Sequence, residues 1–429
     1  MFNHIKERIQ FAQFCILHRR GLTAQRRWQE KRLRELVRYA YCHIPLWRAL
    51  LDEEGIDPTS ICTLDDLPRL PMTSKQTFIG KIVEEYIDSS RSVRSFWYLT
   101  SGTSGTPFRF LLSEHAILEK YSNFASLRFL WWRGESLKSL ASVRLARIKI
   151  RGPSSEHRLF VPVESYLKDP RSALNRVVDF KAEVLSAYPS ILFDIARSVS
   201  DDPTLPRPTP RFALSFGEML TPSARRFVET TLGCEVYNRY GLEEVDVVGV
   251  ECALHEGFHI NTESVIIEIT DDAHQPVAAG TEGKIIATDL FNYGMPFIRY
   301  DTGDYGVMSN EPCPCGLRSP RLWVKGRYSA YLSFPARRIH HLEFDGAMDG
   351  FMNYVFQYQI AKKSDSEIVA RIIPGPAFHR DIPAQIQKSL RALVGPDIRI
   401  GVEEVSTISV TPRGKSRIVV DESELPHVP

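Results

Sequence analysis

Apolar residues near the N-terminus recur at the spacing of an α-helix. Between Arg26 and Tyr41 they lie three and four positions apart, at Leu33, Leu36, Val37 and Ala40. This spacing places them on one face, which predicts a helix that packs against a core. Four prolines between residues 45 and 71 then indicate a turn-rich connection. We therefore expect residues 1–95 to form a helical lead-in.

Short β-branched runs alternate with helical segments from Phe96 to Arg327. The predicted helices are Ser113–Phe129, Pro170–Phe180 and Thr221–Thr231. The predicted strands are Arg211–Phe216, Glu235–Asn238 and Lys284–Thr288. Two further apolar runs flank a turn and predict a β-hairpin, Ser264–Ile269 with Gly283–Leu290. The alternation predicts an α/β fold in several layers, with parallel or mixed sheets covered by helices.

The pattern changes after Gly326-Arg327, where roughly a hundred residues carry their own strand and helix order, the size of a small domain. The predicted elements are the strands Asn353–Ala361, Ser366–Ile373 and Ile398–Val405 and the helix Asp381–Val394. We therefore predict a large N-terminal domain over residues 1–327 and a small α+β domain over residues 328–429.

Composition and charge restrict the class of function. The 429 residues are 43% hydrophobic and 25% charged, as in an ordinary globular protein. The net charge of +2 offers no basic footprint for nucleic acid. No apolar run is long enough to span a bilayer. The seven cysteines form no even framework, so we expect reduced thiols in a cytoplasmic protein.

The segment Tyr98-Leu-Thr-Ser-Gly-Thr-Ser-Gly-Thr-Pro107 is the first candidate for chemistry. It combines five aliphatic hydroxyl groups and two glycines directly after an apolar run that ends at Leu99. Glycine lets the backbone approach a ligand closely, and hydroxyl and N–H groups are donors for phosphate oxygens. No Gly-Lys-Ser/Thr follows, so the segment is not a Walker loop. The hypothesis is a phosphate-binding loop, and the alternative is an ordinary surface loop.

Four further motifs follow this loop in order. They are Ser215-Phe-Gly-Glu218, Tyr237-Asn-Arg-Tyr-Gly-Leu-Glu-Glu244, Ile298-Arg-Tyr-Asp-Thr-Gly-Asp304 with Gly326-Arg327, and Thr411-Pro-Arg-Gly-Lys-Ser-Arg417. With these motifs the chain resembles the adenylate-forming superfamily of acyl-CoA synthetases and adenylation domains. Within it, the chain is most similar to the phenylacetate-CoA ligase-like group and its branch named for capsular polysaccharide biosynthesis. The resemblance covers nearly the whole chain and implies that the small C-terminal domain is mobile.

The resemblance implies an enzyme that uses ATP and Mg²⁺ to activate a small carboxylic acid, aromatic or otherwise apolar. The acid becomes an acyl-adenylate as pyrophosphate leaves, and a nucleophile then takes the acyl group. CoA is the first expectation for the nucleophile, with a carrier-protein thiol or an amine as alternatives. A non-catalytic relative that binds nucleotide is another alternative, against which the retained Lys415, Glu244 and Asp304 argue. A homodimer also fits the resemblance, although no coiled-coil pattern predicts one.

The resemblance further implies roles for individual residues. The expected catalytic residues are Lys415, Glu244 and Thr100, with Lys415 bridging the carboxylate and the α-phosphate. Glu244 is the expected Mg²⁺ ligand, because a hard cation prefers carboxylate oxygen, although the adjacent Glu243 leaves this assignment open. Asp304 would accept the ribose hydroxyls, and the ring of Tyr240 would face adenine. The full expected ATP-binding set is Ser101, Gly102, Thr103, Ser104, Gly105, Gly217, Glu218, Asn238, Arg239, Tyr240, Gly241, Asp304 and Arg327.

Two less specific sets complete the candidates. Aromatic residues near the matching regions suit either an acyl pocket or a core: Tyr188, Phe216, Trp131 and Trp132. Three cysteines and a histidine have the donor types of a structural zinc site: Cys252, His259, Cys313 and Cys315. His255 is an alternative to His259, and four unlinked residues are the alternative to a zinc site.

Overall fold

The computed structural model describes residues 12, 14–90, 94–99, 108–113, 142–149, 154–327, 331–408 and 418–423. Its internal contacts divide the chain into two units. The first unit comprises residues 1–142 and 239–325, and the second comprises residues 143–238 and 326–429. The change of unit after residue 325 lies close to the domain boundary expected at residue 328, and the two-domain division stays a prediction.

Helices and strands alternate along most of the described chain, as expected for an α/β fold. The helices are α1 (Leu22–His43), α2 (Pro45–Glu53), α3 (Lys75–Phe78), α4 (Val83–Tyr86), α5 (Val163–Lys168), α6 (Pro170–Asp179), α7 (Pro189–Asp201), α8 (Pro222–Leu232), α9 (His341–Met348) and α10 (Ile382–Val394). The strands are β1 (Ser95–Leu99), β2 (Arg109–Ser113), β3 (Leu145–Lys149), β4 (Arg158–Pro162), β5 (Val184–Ala187), β6 (Phe212–Phe216), β7 (Glu235–Leu242), β8 (Asp246–Glu251), β9 (Phe258–Ile260), β10 (Val265–Thr270), β11 (Glu282–Asp289), β12 (Tyr300–Ser309), β13 (Arg321–Arg327), β14 (Tyr331–Ser333), β15 (Arg338–His340), β16 (Val355–Ser364), β17 (Glu367–Pro374), β18 (Arg399–Glu404) and β19 (Val419–Asp421).

The first unit contains a mainly antiparallel sheet in the order β10-β11-β12-β13-β9-β8-β7. The predicted hairpin is confirmed, because β10 and β11 pair antiparallel from Val265 opposite Asp289 to Thr270 opposite Lys284. Strands β8 and β9 form a second antiparallel pair, and β9 also pairs with β13. This arrangement brings the segments 239–251 and 300–325 into one sheet.

The predicted N-terminal helix is also confirmed in the first unit. Helix α1 extends a few residues beyond the predicted segment at each end. Its apolar stripe is buried, with Leu33, Leu36, Val37 and Ala40 at most 1% exposed. Full burial of a leucine side chain stabilises a fold by roughly 1.5–3 kcal/mol, so the stripe anchors the lead-in to the unit's core.

Arg299 joins the lead-in to the strand that carries the Ile298–Asp304 motif. Its side chain is 2% exposed. The guanidinium donates to the carbonyl oxygens of Pro68 at 3.0 Å and Leu70 at 2.9 Å, and it pairs with Glu268 at 3.2 Å. A buried charge is tolerated when it is paired and hydrogen-bonded in this way. Arg299 therefore fixes the start of β12 relative to the proline-rich segment.

The second unit contains a parallel sheet in the order β6-β5-β3-β4 and a smaller sheet in the order β18-β17-β16-β19. The predicted strand–helix–strand unit is confirmed, since β17 and β18 are parallel neighbours and α10 connects them. Helix α8 contacts the smaller sheet, because the Thr221 hydroxyl donates to the carbonyl oxygen of Phe356 at 2.7 Å. The Phe356 ring lies 4.7 Å from the rings of both Phe193 and Phe227.

One predicted element is wrong at its start. Ser113 was expected to begin a helix, but it ends β2, where it pairs with Ser95 of β1. The Ser113 N–H donates to Asn292 Oδ1 at 3.0 Å, and its hydroxyl donates to the Phe291 carbonyl oxygen at 3.2 Å. These contacts to a distant segment override the local helical pattern. The remainder of that predicted helix, residues 114–129, lies outside the described residues.

Candidate active site and metal centre

Tyr240 and Asp304 come together in the first unit from two separate motifs. Tyr240 lies on β7 and Asp304 on β12, and the Tyr240 hydroxyl donates to Asp304 Oδ2 at 2.7 Å. Asp304 is only 6% exposed, and its N–H donates to the Thr302 hydroxyl at 3.2 Å. A buried carboxylate held by a hydroxyl is fixed in position and keeps further lone pairs for a ligand. These are the two residues expected to bind ribose and adenine.

Glu244 is also buried in the first unit, with 8% of its surface exposed. The Tyr300 hydroxyl donates to Glu244 Oε1 at 3.3 Å. Glu243, the neighbouring carboxylate, is half-buried. An oxygen ligand in a buried, oriented position fits the requirements of a Mg²⁺ site. The two adjacent carboxylates therefore differ in environment, and Glu244 is the one that is enclosed.

Gly241 lies between these candidates and has little room for a side chain. A Cβ atom at this position would approach the carbonyl oxygen of Asp246 to 2.2 Å. Arg239 lies two residues before Gly241 on β7. It pairs with Val250 of β8 and is half-buried. The backbones of β7 and β8 thus approach so closely next to Tyr240 that the position after it requires glycine.

Sequence reasoning missed Tyr300 as the partner of Glu244. The signal was present in the motif Ile298–Asp304, because alternate residues of a strand share one face. Tyr300, Thr302 and Asp304 alternate along β12, and all three are buried. Reading this period would have placed Tyr300 on the same side as Asp304. Arg299 was missed as well, and no local pattern reveals its partners in the lead-in.

Glu218 and Asn238 occupy ordered positions in the second unit. The Ser190 N–H, in the first turn of α7, donates to Glu218 Oε2 at 3.0 Å. A carboxylate is favourable there because it satisfies a free N–H and faces the positive end of the helix dipole. Gly217 precedes it at φ 76°, a conformation that favours glycine. The Ser215 hydroxyl donates to Asn238 Oδ1 at 2.9 Å.

Two of the expected pocket aromatics pack against each other in the second unit. The ring centroids of Tyr188 and Phe216 are 4.8 Å apart. Both side chains are buried, at 1% and 7% exposed. Lys149 Nζ lies 5.7 Å from the centroid of the Phe216 ring, which the sequence analysis did not anticipate. The pair belongs to the apolar core of this unit, and its contribution to an acyl pocket stays a prediction.

Several expected site residues lie outside the described residues. They are Thr100, Ser101, Gly102, Thr103, Ser104, Gly105, Trp131, Trp132 and Lys415. Arg327 ends β13, and its side chain is not among those described.

The three cysteines and the histidine of the second candidate site converge in the first unit. The ligand atoms of Cys252, His259, Cys313 and Cys315 all lie within 4.8 Å of one another. Cys252 Sγ is 3.9 Å from Cys313 Sγ, and Cys315 Sγ is 3.4 Å from His259 Nε2. The alternative histidine, His255, instead places its Nδ1 3.1 Å from Glu251 Oε2.

Burial sets the protonation of this cluster. His259 is fully buried, and burial together with the charge of Arg321 lowers its pKa to about 4. The ring is therefore neutral at pH 7 and offers a lone pair. Burial raises the pKa of Cys252 and raises that of Cys315 to about 12. A bound cation would favour these buried thiolates.

None of the described helices combines the length and the apolar character that crossing a bilayer requires.

Comparison with known proteins points to one group of ligases. The chain is 28% identical over 372 residues to a phenylacetate-coenzyme A ligase of Thermus thermophilus, a match that covers 83% of each chain. It is 22% identical over 420 residues to the phenylacetate-coenzyme A ligase of Aromatoleum evansii, covering 92% of this chain and 93% of that protein. No family model matches the chain.

The fold is shared with solved ligase structures. A 2-hydroxyisobutyryl-CoA ligase in the postadenylation state, in complex with 2-HIB-AMP, superposes with a TM-score of 0.74 at 19% identity. The match covers 92% of this chain and 89% of that one. At this identity the likeness establishes the fold. The chain is thus similar in sequence to phenylacetate-coenzyme A ligases and shares its fold with this CoA ligase.

Proposed function

We propose that this protein activates a carboxylic acid with ATP and transfers the acyl group to CoA. The observation that carries the proposal is the hydrogen bond between Tyr240 and Asp304, which joins two of the five motifs at the buried Asp304 carboxylate. Relatives that match most of the chain are named as phenylacetate-coenzyme A ligases, and their activity provides the reaction type.

The proposed reaction has two steps. A carboxylate oxygen attacks the α-phosphorus of ATP, the bond from that phosphorus to the bridging oxygen breaks, and pyrophosphate leaves. The sulfur of CoA then attacks the carbonyl carbon of the acyl-adenylate, the carbon–oxygen bond to AMP breaks, and the thiol proton is released. Both steps bring anionic groups together, so positioning and charge neutralisation supply most of the rate enhancement.

The nucleoside is assigned to the first unit. The Asp304 carboxylate accepts hydrogen bonds from the ribose hydroxyls, while the Tyr240 hydroxyl holds that carboxylate in position. The flat face of Tyr240 contacts the adenine ring. Arg239 and Gly241, on either side of Tyr240, complete the β7 contribution. This assignment is supported by the 2.7 Å contact and by the low exposure of Asp304.

Mg²⁺ is assigned to the carboxylate of Glu244. This residue fits the ion because its oxygen donors are buried and oriented by the Tyr300 hydroxyl. When bound, the ion neutralises charge on the phosphates. Glu243 is half-buried and is assigned no ligand role. Lys415 bridges the substrate carboxylate and the α-phosphate, and Thr100–Gly105 bind the phosphates, as the family resemblance implies.

The proposed substrate is a small aromatic or otherwise apolar acid. Tyr188 and Phe216 provide a compact aromatic pair in the second unit, with Lys149 close to the Phe216 ring. We assign Tyr188 and Phe216 to the acyl-binding region, and Trp131 and Trp132 stay candidates from the sequence. CoA is preferred over a carrier protein or an amine as acceptor, because the sequence relatives are named as CoA ligases. Membership of the capsular-polysaccharide branch stays a prediction.

The proposal is tested by identifying the products. The purified full chain is incubated with ATP, Mg²⁺, CoA and a panel of acids that includes phenylacetate, benzoate and short aliphatic acids. Mass spectrometry is expected to detect the acyl-CoA of at least one acid together with AMP. Hydroxylamine replaces CoA in a parallel set to trap the acyl-adenylate. Formation of ADP instead of AMP would overturn the proposal. Formation of hydroxamate without any thioester would overturn CoA as the acceptor.

A further inference from the structure

We propose that Cys252, His259, Cys313 and Cys315 bind one zinc ion that has a structural role. In a tetrahedral site with ordinary zinc–sulfur and zinc–nitrogen bonds, neighbouring sulfurs are about 3.8 Å apart and sulfur and nitrogen about 3.5 Å apart. The observed separations are 3.9 Å between the sulfurs of Cys252 and Cys313 and 3.4 Å between Cys315 Sγ and His259 Nε2. These two separations match one tetrahedron, and all four donor atoms lie within 4.8 Å of one another.

His259 is held in the orientation that a ligand needs. Its Nε2 faces Cys315, and its Nδ1 lies 3.1 Å from the Ser319 hydroxyl. A metal-binding histidine commonly uses its second ring nitrogen in such a contact, which fixes the ring and its tautomer. His259 is fully buried and Ser319 is 5% exposed. Solvent therefore does not compete for this contact.

The charge of the surroundings also suits the ion. Zinc with three thiolates and a neutral imidazole carries a net charge of −1. Arg321 lies directly opposite His259 in the pairing of β13 with β9, and it is only 8% exposed. Its guanidinium provides a positive charge beside a site that would otherwise be negative. The same guanidinium donates to the Glu256 carbonyl oxygen at 3.3 Å.

The position of the ligands indicates what the ion does. Four protein ligands leave no open position for a substrate or water, which excludes a catalytic role. Cys252 directly follows β8 and His259 lies on β9, while Cys313 and Cys315 come from the segment between β12 and β13. The ion would therefore link these two segments within the sheet that carries Tyr240 and Asp304. It is a stabilising link for the proposed nucleotide-binding half.

A disulfide is the competing interpretation for two of the residues. The 3.9 Å between the sulfurs of Cys252 and Cys313 is far longer than the bond length of about 2.05 Å. A disulfide would also leave Cys315 and His259 without a shared function.

The test measures metal in the full chain. Protein expressed with added zinc is dialysed extensively and analysed by elemental mass spectrometry, and about one zinc per chain is expected. The variant Cys313→Ser is expected to lose the zinc, while Cys234→Ser, a buried cysteine in the second unit, retains it. Zinc removal with a strong chelator is expected to lower the temperature of thermal unfolding, and added zinc restores it.

A second measurement covers the case in which Cys313→Ser does not fold. Wild-type protein is loaded with Co²⁺, whose absorption reports tetrahedral geometry and thiolate ligation. Intense thiolate-to-cobalt bands with one equivalent bound are expected. Zinc at well below one equivalent in the wild type, together with no such bands, would overturn the proposal. A disulfide between Cys252 and Cys313 in freshly purified protein would do the same.

Discussion

Tyr240 donates a 2.7 Å hydrogen bond to the buried carboxylate of Asp304, although 64 positions separate the two residues in the sequence. The contact connects the motif on β7 with the motif on β12. It follows from the sheet order, because β8, β9 and β13 bring these strands into one layer. The two motifs are therefore parts of one local structure, which is the basis for assigning the nucleoside to it.

Tyr240→Phe is expected to weaken ATP binding while leaving the fold intact. The ring that we propose to face adenine is kept, and only the hydroxyl that holds Asp304 is lost. A hydrogen bond to a charged group contributes about 1.5–3 kcal/mol, so the KM for ATP should rise about tenfold or more. Steady-state kinetics of acid-dependent pyrophosphate release measure this change.

A matched control for this variant exists on the surface. The Tyr41 hydroxyl donates to Asp52 Oδ1 at 2.9 Å, in an exposed position of the same unit. Tyr41→Phe removes the same kind of bond and should leave the KM for ATP unchanged. Equal kinetics for Tyr240→Phe and wild type would contradict the assignment of Asp304.

Glu244→Gln is expected to increase the Mg²⁺ concentration needed for half-maximal activity by at least about tenfold. The amide keeps the shape and the contact with Tyr300 but loses the negative charge that a hard cation requires. Glu243→Gln is the matched control and should shift this concentration little, because Glu243 is not enclosed. Magnesium titrations of hydroxamate formation distinguish the two. A larger shift for Glu243→Gln than for Glu244→Gln would assign the Mg²⁺ ion to Glu243 instead.

Lys415→Ala is expected to reduce the rate of adenylation by about a hundredfold to a thousandfold, the typical loss for one preorganised group that stabilises the transition state. ATP binding should persist, because the proposed nucleoside contacts do not involve Lys415. Lys388→Ala, an exposed lysine on α10, should behave as the wild type. Single-turnover acyl-adenylate formation and calorimetric ATP binding separate the two effects. Retained turnover in Lys415→Ala would remove this residue from the mechanism.

Asp345→Asn is expected to raise the free energy of unfolding relative to the wild type by more at pH 8 than at pH 4. Burial raises the pKa of Asp345 to about 6, although the Tyr358 hydroxyl donates to it. The native state therefore binds a proton more tightly than the unfolded chain. The contribution of this carboxyl group to the free energy of unfolding is fully present below about pH 4 and is lost as the pH rises through 6.

The asparagine variant cannot ionise, so its advantage over wild type should grow by up to about 3 kcal/mol between pH 4 and pH 8. Urea unfolding at these two pH values measures the difference. Asp349→Asn, an exposed carboxylate nearby, is the control and should follow the wild-type pH dependence. An advantage that is equal at both pH values would show that Asp345 does not titrate in this range.

Local periodicity was sufficient where neighbouring residues determine the structure. The stripe of Leu33, Leu36 and Val37 predicted α1, and the paired apolar runs predicted the β10–β11 hairpin. Local periodicity was not sufficient where contacts with distant residues determine the secondary structure. Ser113 ends a strand because Asn292 and Phe291 bind it, and no window around residue 113 contains that information.

The candidate site residues were also predictable from the sequence only in part. Residue types alone identified the cysteines and a histidine as possible ligands, but they left His255 and His259 as alternatives. The pairing of β9 with β13 decides between them, since it places His259 opposite Arg321 and next to the cysteine-bearing segment. Glu243 and Glu244 were likewise separable only through the burial that the sheet imposes on Glu244.

The central claim is that an acyl-adenylate forms reversibly from ATP and an acid. The most direct measurement is exchange of labelled pyrophosphate into ATP, with and without each acid and in the absence of CoA. The account predicts exchange that requires both Mg²⁺ and the acid, and that is fastest with an aromatic or apolar acid. Thioester formation without any acid-dependent exchange, or exchange that is independent of the acid, would contradict it.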